Sequence, residues 1–297
     1  MSTGRDVTNF NQGAVISGEG VVRRLFVHEL VNLVENDARA RSSEFADEAA
    51  IHQLRVSTRR LRSKLKVVGL VLRPTPRQEF EARLGEVGAV LGELRNLDVL
   101  QRLFDPFFAS DPQFGPVRTR LEADLEVARR RARRTLESKQ YRLMIERLAS
   151  WVVAPPLRPR ARRDALVLFA PQLWKVTESL FAKVDRFGPQ PTLAQLHMIR
   201  KLAKRGRYNY EVGSWYLGPP ASDVASSFEE VQRTLGELHD LTVAVTYLEA
   251  SSDTQGMCHT LRREMTPLLA QWRAPLERAR QLSASLRAAQ VSSASLT

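Results

Sequence analysis

The residues of this chain best suited to chemistry lie between His52 and Lys66. Read as a helix at about 100° per residue, His52, Arg55, Arg59, Arg62 and Lys66 fall within an arc of about 80°. Leu54, Leu61, Leu65, Val68 and Leu72 fall on a separate stripe of the same helix. One face therefore enters a core, and beside it runs a row of positive charge. Guanidinium forks match phosphate-like oxygens two at a time, and lysine adds a point charge. Such a row, with a cation about every 5.4 Å, suits an extended anion. Between Gln53 and Gln78 there is no Asp or Glu, so the row has no acids at i±4 to pair with. Its charges either await an anion or pair across helices.

The stretch recurs. His52, Arg55, Arg59, Arg60 and Arg62 align with His197, Arg200, Lys204, Arg205 and Arg207, 145 residues on. A proline turn follows each copy: Pro74-Thr75-Pro76, then Gly218-Pro219-Pro220. A second block follows each turn, Leu91-Gly-Glu-Leu-Arg95-Asn-Leu-Asp98-Val99 aligning with Leu235-Gly-Glu-Leu-His239-Asp240-Leu-Thr-Val243. Two motifs in one order at nearly one offset mark a helical unit used twice. The copies differ at two places. Glu211 stands where Lys66 stands, which weakens the second stripe, and Gly206 replaces Leu61.

This doubled, ordered set resembles the CHAD family, the conserved histidine α-helical domain, over residues 16–290. The resemblance implies an all-α fold of two antiparallel four-helix halves, related by the internal repeat, with a basic cavity between them. It also implies binding of inorganic polyphosphate there and association with polyphosphate granules. The residues it implicates are His52, Arg55, Arg59, Arg60, Arg62 and Arg95 in the first half, to which the helical stripe adds Lys66. In the second they are His197, Arg200, Lys204, Arg205, Arg207 and His239.

The elements that must position these residues read as long amphipathic helices. Residues 1–14 form an aperiodic tail. The first half, 15–153, holds helices over 16–41, 44–72, 76–104 and 116–152, with turns at Asp105-Pro106 and Asp111-Pro112. On the first of these, Val22, Leu25, Phe26, Leu30, Leu33 and Val34 share the core face. The Pro-rich segment 154–162 is the border. The second half, 163–290, holds helices over 164–187, 191–215, 222–250 and 256–289. Ser222 serves as an N-cap, and Pro267 and Pro275 kink or split the last helix. Residues 291–297 form a frayed tail. No period-2 alternation competes.

Asp98 occupies an apolar seam position, so burial demands a cation; we read it as orienting His52 or Arg55. Asp240 does the same in the other half. Face-to-face halves bring His52 and His197 toward a shared axis, where neutral imidazole hydrogen-bonds phosphate oxygens. The arginine run 129–134, with Lys139 and Arg142, faces solvent in part; Arg134, Lys139 and Arg142 supply a supporting surface.

Composition agrees with an anionic partner. Net charge is +12 and the isoelectric point about 10.5. Only 7 of the 45 basic residues are lysine, a ratio to which genome base composition also contributes. Cys258 is the one cysteine, which excludes an intramolecular disulfide and suits a reducing compartment. No run of about 18 apolar residues or apolar leader core is present, so the expected place is the cytoplasm, without membrane contact. Phosphate loops, Gly-x-Ser-x-Gly and His-Glu-x-x-His are absent, and neither stripe histidine has a second ligand at i+4. The expectation is a non-enzymatic module without metal or cofactor, and with no protein partner identifiable. A nucleic-acid backbone binder is the alternative. Base stacking wants aromatics among the cations, and the first stripe has none. An enzyme acting on polyphosphate or nucleotides ranks third.

Overall fold

The computed structural model describes residues 16–43, 47–251 and 254–294. These residues are almost wholly helical and contain no strand, only two isolated bridges. Ten α-helices follow in order: α1 (Gly18–Ser42), α2 (Glu48–Val67), α3 (Pro74–Ser110), α4 (Gly115–Glu137), α5 (Lys139–Val153), α6 (Ala165–Phe187), α7 (Leu193–Leu217), α8 (Pro219–Glu249), α9 (Gln255–Gln271) and α10 (Arg273–Ala294). Where the sequence reads four helices per half, the described residues hold five. The expected tail 1–14 lies outside the described residues, as does the expected start of the second helix at Glu44. At the other end, α10 carries helix to Ala294, past the expected fraying point.

Local chemistry sets the boundaries. Asp47 caps α2 by accepting from the amides of Ala49 and Ala50. Thr192 and Gln195 form a reciprocal capping box at α7. Gly218 has φ of +81°, open to glycine without strain, and so ends α7 and begins α8 in one residue. It, not Ser222, is the N-cap of α8. The expected single helix 116–152 breaks at Ser138, whose ψ of 149° is extended and whose hydroxyl caps α5 through the amide of Tyr141. Arg41 meanwhile donates to the carbonyl of Leu136 at the frayed end of α4. The expected turn at Asp105-Pro106 does not form. Pro106 lies inside α3, because Phe104, Phe107 and Phe108 carry the helix onward into the core. Burying such side chains, at about 2 kcal/mol each, offsets a proline cost of about 3 kcal/mol. The last helix splits at Trp272, between its two prolines.

Two cores result. The first gathers α1 to α5 and the start of α6. It also takes Val212 of α7, Leu241, Ala244, Val245 and Leu248 of α8, and Met257, Cys258 and Leu261 of α9. The second core is built from α6, α7, α8 and α10. The Pro-rich segment is stitched down, Arg158 donating to Val71 and Arg73 to Pro156, both at 2.8 Å. The α2 stripe is as read: Leu54, Leu61, Leu65, Val68 and Leu72 are all buried. On α1, Val22, Leu25, Phe26 and Leu33 are buried and Leu30 partly so, but Val34 turns outward beside Val27 and Val31.

Candidate anion-binding site

Helices α2 and α7 pack against each other, with α3 behind α2 and α8 behind α7. Arg55 feels the charge of Arg200, Arg59 that of Lys204, and Lys64 reaches Glu211. These pairings advance together along both helices, so the two basic helices run side by side in the same direction. The two copies of the repeat thereby bring their cations onto one seam.

The second block of each copy supplies the floor. A Cβ at Gly92 of α3 would stand 3.7 Å from Arg55 Nε, and one at Gly236 of α8 would stand 3.7 Å from Arg200 Nε. Each leading arginine thus lies across the glycine of its own Leu-Gly-Glu-Leu block. The matched motifs are a side chain and its bed, a relation that the sequence alignment contains but does not explain. His52 similarly faces Arg95, and His197 lies against His239 with ring centroids 4.7 Å apart. His52 answers to the cations of its own half and His197 to those of its own.

A cavity of about 310 Å³ opens beside the seam. Arg59, Arg62 and Lys66 of α2 line it, with Lys204, Arg205, Tyr208 and Asn209 of α7 and Gln172 of α6. Five cations and no carboxylate face this space. Tyr208 is 1 % exposed, yet its hydroxyl has no hydrogen-bond partner among the described residues. The Nε atoms of Arg59 and Arg200 are likewise unmet. A smaller recess of about 40 Å³ between α3 and α4 is lined by Asp105 and Glu122 as well as Arg118, and lacks this excess of one sign.

The electrostatics follow from crowding. Burial pushes Arg55 down to about 10, helped by Arg59, Arg200 and Arg95. Burial and then Arg59, Arg200, Arg55 and Arg62 push Lys204 down to about 8. Arg95 and Arg200 are lowered by the same causes. His52 and His239 fall to about 4 and His197 falls too, burial leading in each case. The histidines are therefore neutral hydrogen-bonding groups at neutral pH. Among the described residues Arg55, Arg59, Arg62, Lys66, Arg95, Arg200, Lys204 and Arg205 make no ion pair within 4 Å. Arg55, Arg95, Arg200 and Lys204 are thus destabilised by burial and then by neighbouring cations, and an anion placed among them relieves that repulsion.

The remaining residues named from sequence lie elsewhere. Arg60 points about 100° away from the stripe, to Glu211 at 3.6 Å. Arg207 is held by Glu211 at 2.7 Å and Glu229 at 2.9 Å. Arg134 is exposed and donates to its own helix, at Arg130. Lys139 and Arg142 are exposed on α5 and form no part of the cavity wall. Much of the arginine run is answered by acids: Arg129 by Glu48, Arg130 by Glu126, Arg131 by Glu93 and Arg133 by Glu137. Asp98 is buried as read, but it does not orient His52 or Arg55. The cations acting on it are Arg129, Arg95 and Arg102, and burial with Glu48 nearby pushes it up to about 6. Asp240 is the acid at the seam, acted on by Arg200 of its own half and by Arg95 and Arg55 of the other.

Sequence reasoning missed the parts played by four residues: Arg102, Glu29, Lys64 and Tyr208. Arg102, two turns after Arg95 on α3, adds charge beside His52 and Asp240. Glu29, Lys64 and Glu211 form a buried chain, Lys64 Nζ lying 2.7 Å from Glu29 and 2.9 Å from Glu211. Glu211, read as a weakening of the second stripe, instead clamps α2 to α7. The signal was present: Glu29 sits on the apolar face that carries Phe26 and Leu33. The fourth is Tyr208.

The chain is thus an all-α protein with two basic helices seamed together over paired glycine beds. A family model describing the CHAD domain matches residues 25–249, and the chain belongs to that family. Among solved structures it is similar to PptA from Streptomyces chartreusis, with 18 % identity, a TM-score of 0.63, and coverage of 91 % of this chain and 98 % of that one. It is also similar to the CHAD domain from the plant Ricinus communis, with 23 % identity, a TM-score of 0.66 and 93 % coverage of each chain. No curated protein matches. No helix among the described residues is long and apolar enough to cross a membrane.

Proposed function

We propose that the protein is a non-catalytic module that binds inorganic polyphosphate along the α2–α7 seam and so associates with polyphosphate granules. The observation that carries this reading is the 310 Å³ cavity with five cations and no carboxylate on its wall. Arg55, Arg59, Arg62, Lys66, Arg200, Lys204 and Arg205 are the principal contacts. Arg95, His52, His197 and His239 extend the track, the histidines as neutral donors or acceptors. The halves 15–153 and 163–290 act as one unit, since each supplies one wall. A catalyst working on polyphosphate would want carboxylates near the track to hold divalent metal, and the cavity wall offers none.

A nucleic-acid backbone binder is the second reading, supported by the same charge. Against it, Tyr208 and Tyr210 are buried, so neither tyrosine offers a base an exposed ring to stack on. The test is competition. Labelled long-chain polyphosphate is bound to the full chain, and duplex DNA or transfer RNA is added at equal phosphate concentration. Polyphosphate is expected to remain bound; displacement by nucleic acid would reverse the two readings.

A further inference from the structure

The cavity contains one amine unlike the others. Lys204 is half-buried and shares the wall with Arg59, Arg62, Lys66 and Arg205, while Arg55 and Arg200 press on it from the seam. No carboxylate lines this space, and Lys204 forms no ion pair among the described residues. The contrast with Lys64 is direct: that amine is also buried, but Glu29 and Glu211 fix its charge. Arginine cannot lose its proton under these conditions, so the strain of like charge falls on the lysine. A lysine next to other cations is the usual arrangement of a nucleophilic amine.

We propose that Lys204 is a modification site: the cavity captures an acyl phosphate by its phosphate group, and the Lys204 amine takes the acyl group. The proposal rests on the reading of this cavity as a phosphate site. An acyl phosphate places its electrophilic carbonyl next to a phosphate dianion, so the guanidinium groups that hold the phosphate bring the carbonyl to the amine. The nitrogen lone pair attacks the carbonyl carbon and a C–N bond forms. The C–O bond to phosphorus-bound oxygen breaks, its electron pair leaves on inorganic phosphate, and the nitrogen releases its proton to solvent. The product is a neutral amide in place of a cation at the centre of the site. Acylation would therefore turn down anion binding, linking polyphosphate capture to the supply of acyl phosphates.

At pH 8 an amine titrating at about 8 is about half neutral, whereas an ordinary lysine is neutral at well under about 1 %. Lower basicity weakens the nucleophile in part, leaving an expected advantage of about tenfold. The experiment uses the full chain and acetyl phosphate at pH 8, with peptide mass spectrometry following each of the seven lysines. Lys204 is expected to acetylate about tenfold faster than exposed Lys201 and Lys139, and saturating tripolyphosphate is expected to remove that excess. Lys204→Arg should lose the dominant acetylated peptide, with no other lysine rising to take its place. Equal rates at Lys204 and Lys201, or an excess that survives tripolyphosphate, would overturn the proposal. Polyphosphate binding by the unmodified protein is measured in parallel by calorimetry. Binding without the Lys204 excess overturns the modification alone; no binding overturns the functional reading and the capture step together.

Discussion

Replacing Arg55 with glutamine should make the protein more stable and a worse binder. Arg55 is held well below the ordinary guanidinium range, down to about 10, by burial first and by Arg59, Arg200 and Arg95 next. At about 1.4 kcal/mol per pH unit, that displacement sets a ceiling of about 3 kcal/mol on the cost of keeping this charge in place. The side chain retains a solvent-facing part, so screening cuts the recoverable share to about 1 kcal/mol. Asp240 is not orphaned by the change, because Arg200 and Arg95 remain beside it. For a chain of this size, about 1 kcal/mol raises the melting temperature by about 2 °C. The anion meanwhile loses a charge-assisted hydrogen bond worth about 1.5–3 kcal/mol, or about 10- to 150-fold in affinity. Differential scanning calorimetry and fluorescence anisotropy with labelled polyphosphate, run on one preparation, read both effects. A fall in melting temperature of more than about 5 °C would mean that Arg55 and Asp240 are an internally balanced pair, and the argument from unanswered charge would fail. Unchanged affinity would remove Arg55 from the site.

Three further outcomes follow from the same geometry. Lys64→Met leaves buried Glu29 without its lysine and removes one of the three cations on Glu211, and should cost about 3–5 kcal/mol, seen as a lower denaturant midpoint; a loss under about 1 kcal/mol would refute the clamp. Tyr208→Phe should preserve the melting temperature and weaken polyphosphate binding by about threefold to tenfold, because the unmet hydroxyl loses its partner only in the complex; unchanged affinity would mean that no phosphate reaches it. Lys204 gives opposite signs with pH. Its folded value is depressed, so between pH 8 and the ordinary lysine range the unfolded chain binds more protons and the Lys204 contribution to stability rises with pH. Polyphosphate affinity should fall over that window as the cation is lost, and titration by anisotropy on parent and Lys204→Arg separates this residue from the rest.

Periodicity alone determined the helical class, the apolar stripe of α2 and the equivalence of its two copies. Those are one-dimensional properties: spacing at 3.6 residues per turn decides which side chains share a face before any packing exists. Composition likewise fixed the sign of the chain's net charge. Tertiary structure decided which cations remain unanswered. Arg60 and Arg207 belong to the same motif as Arg59 and Lys204; Glu211 takes Arg207 within α7 at a spacing of four residues, but takes Arg60 only once α2 and α7 lie side by side, and leaves the others. Asp98 shows the same limit in part: its burial and the helical neighbours Arg95 and Arg102 were readable from the spacing, while Arg129 depended on how α3 meets α4. The break at Ser138 and the unbroken helix through Pro106 also turned on packing, since a few kilocalories of aromatic burial override a local preference of similar size. Charge can be counted along a chain, but ion pairing is a matter of ångströms between segments distant in sequence, and only the fold sets those distances.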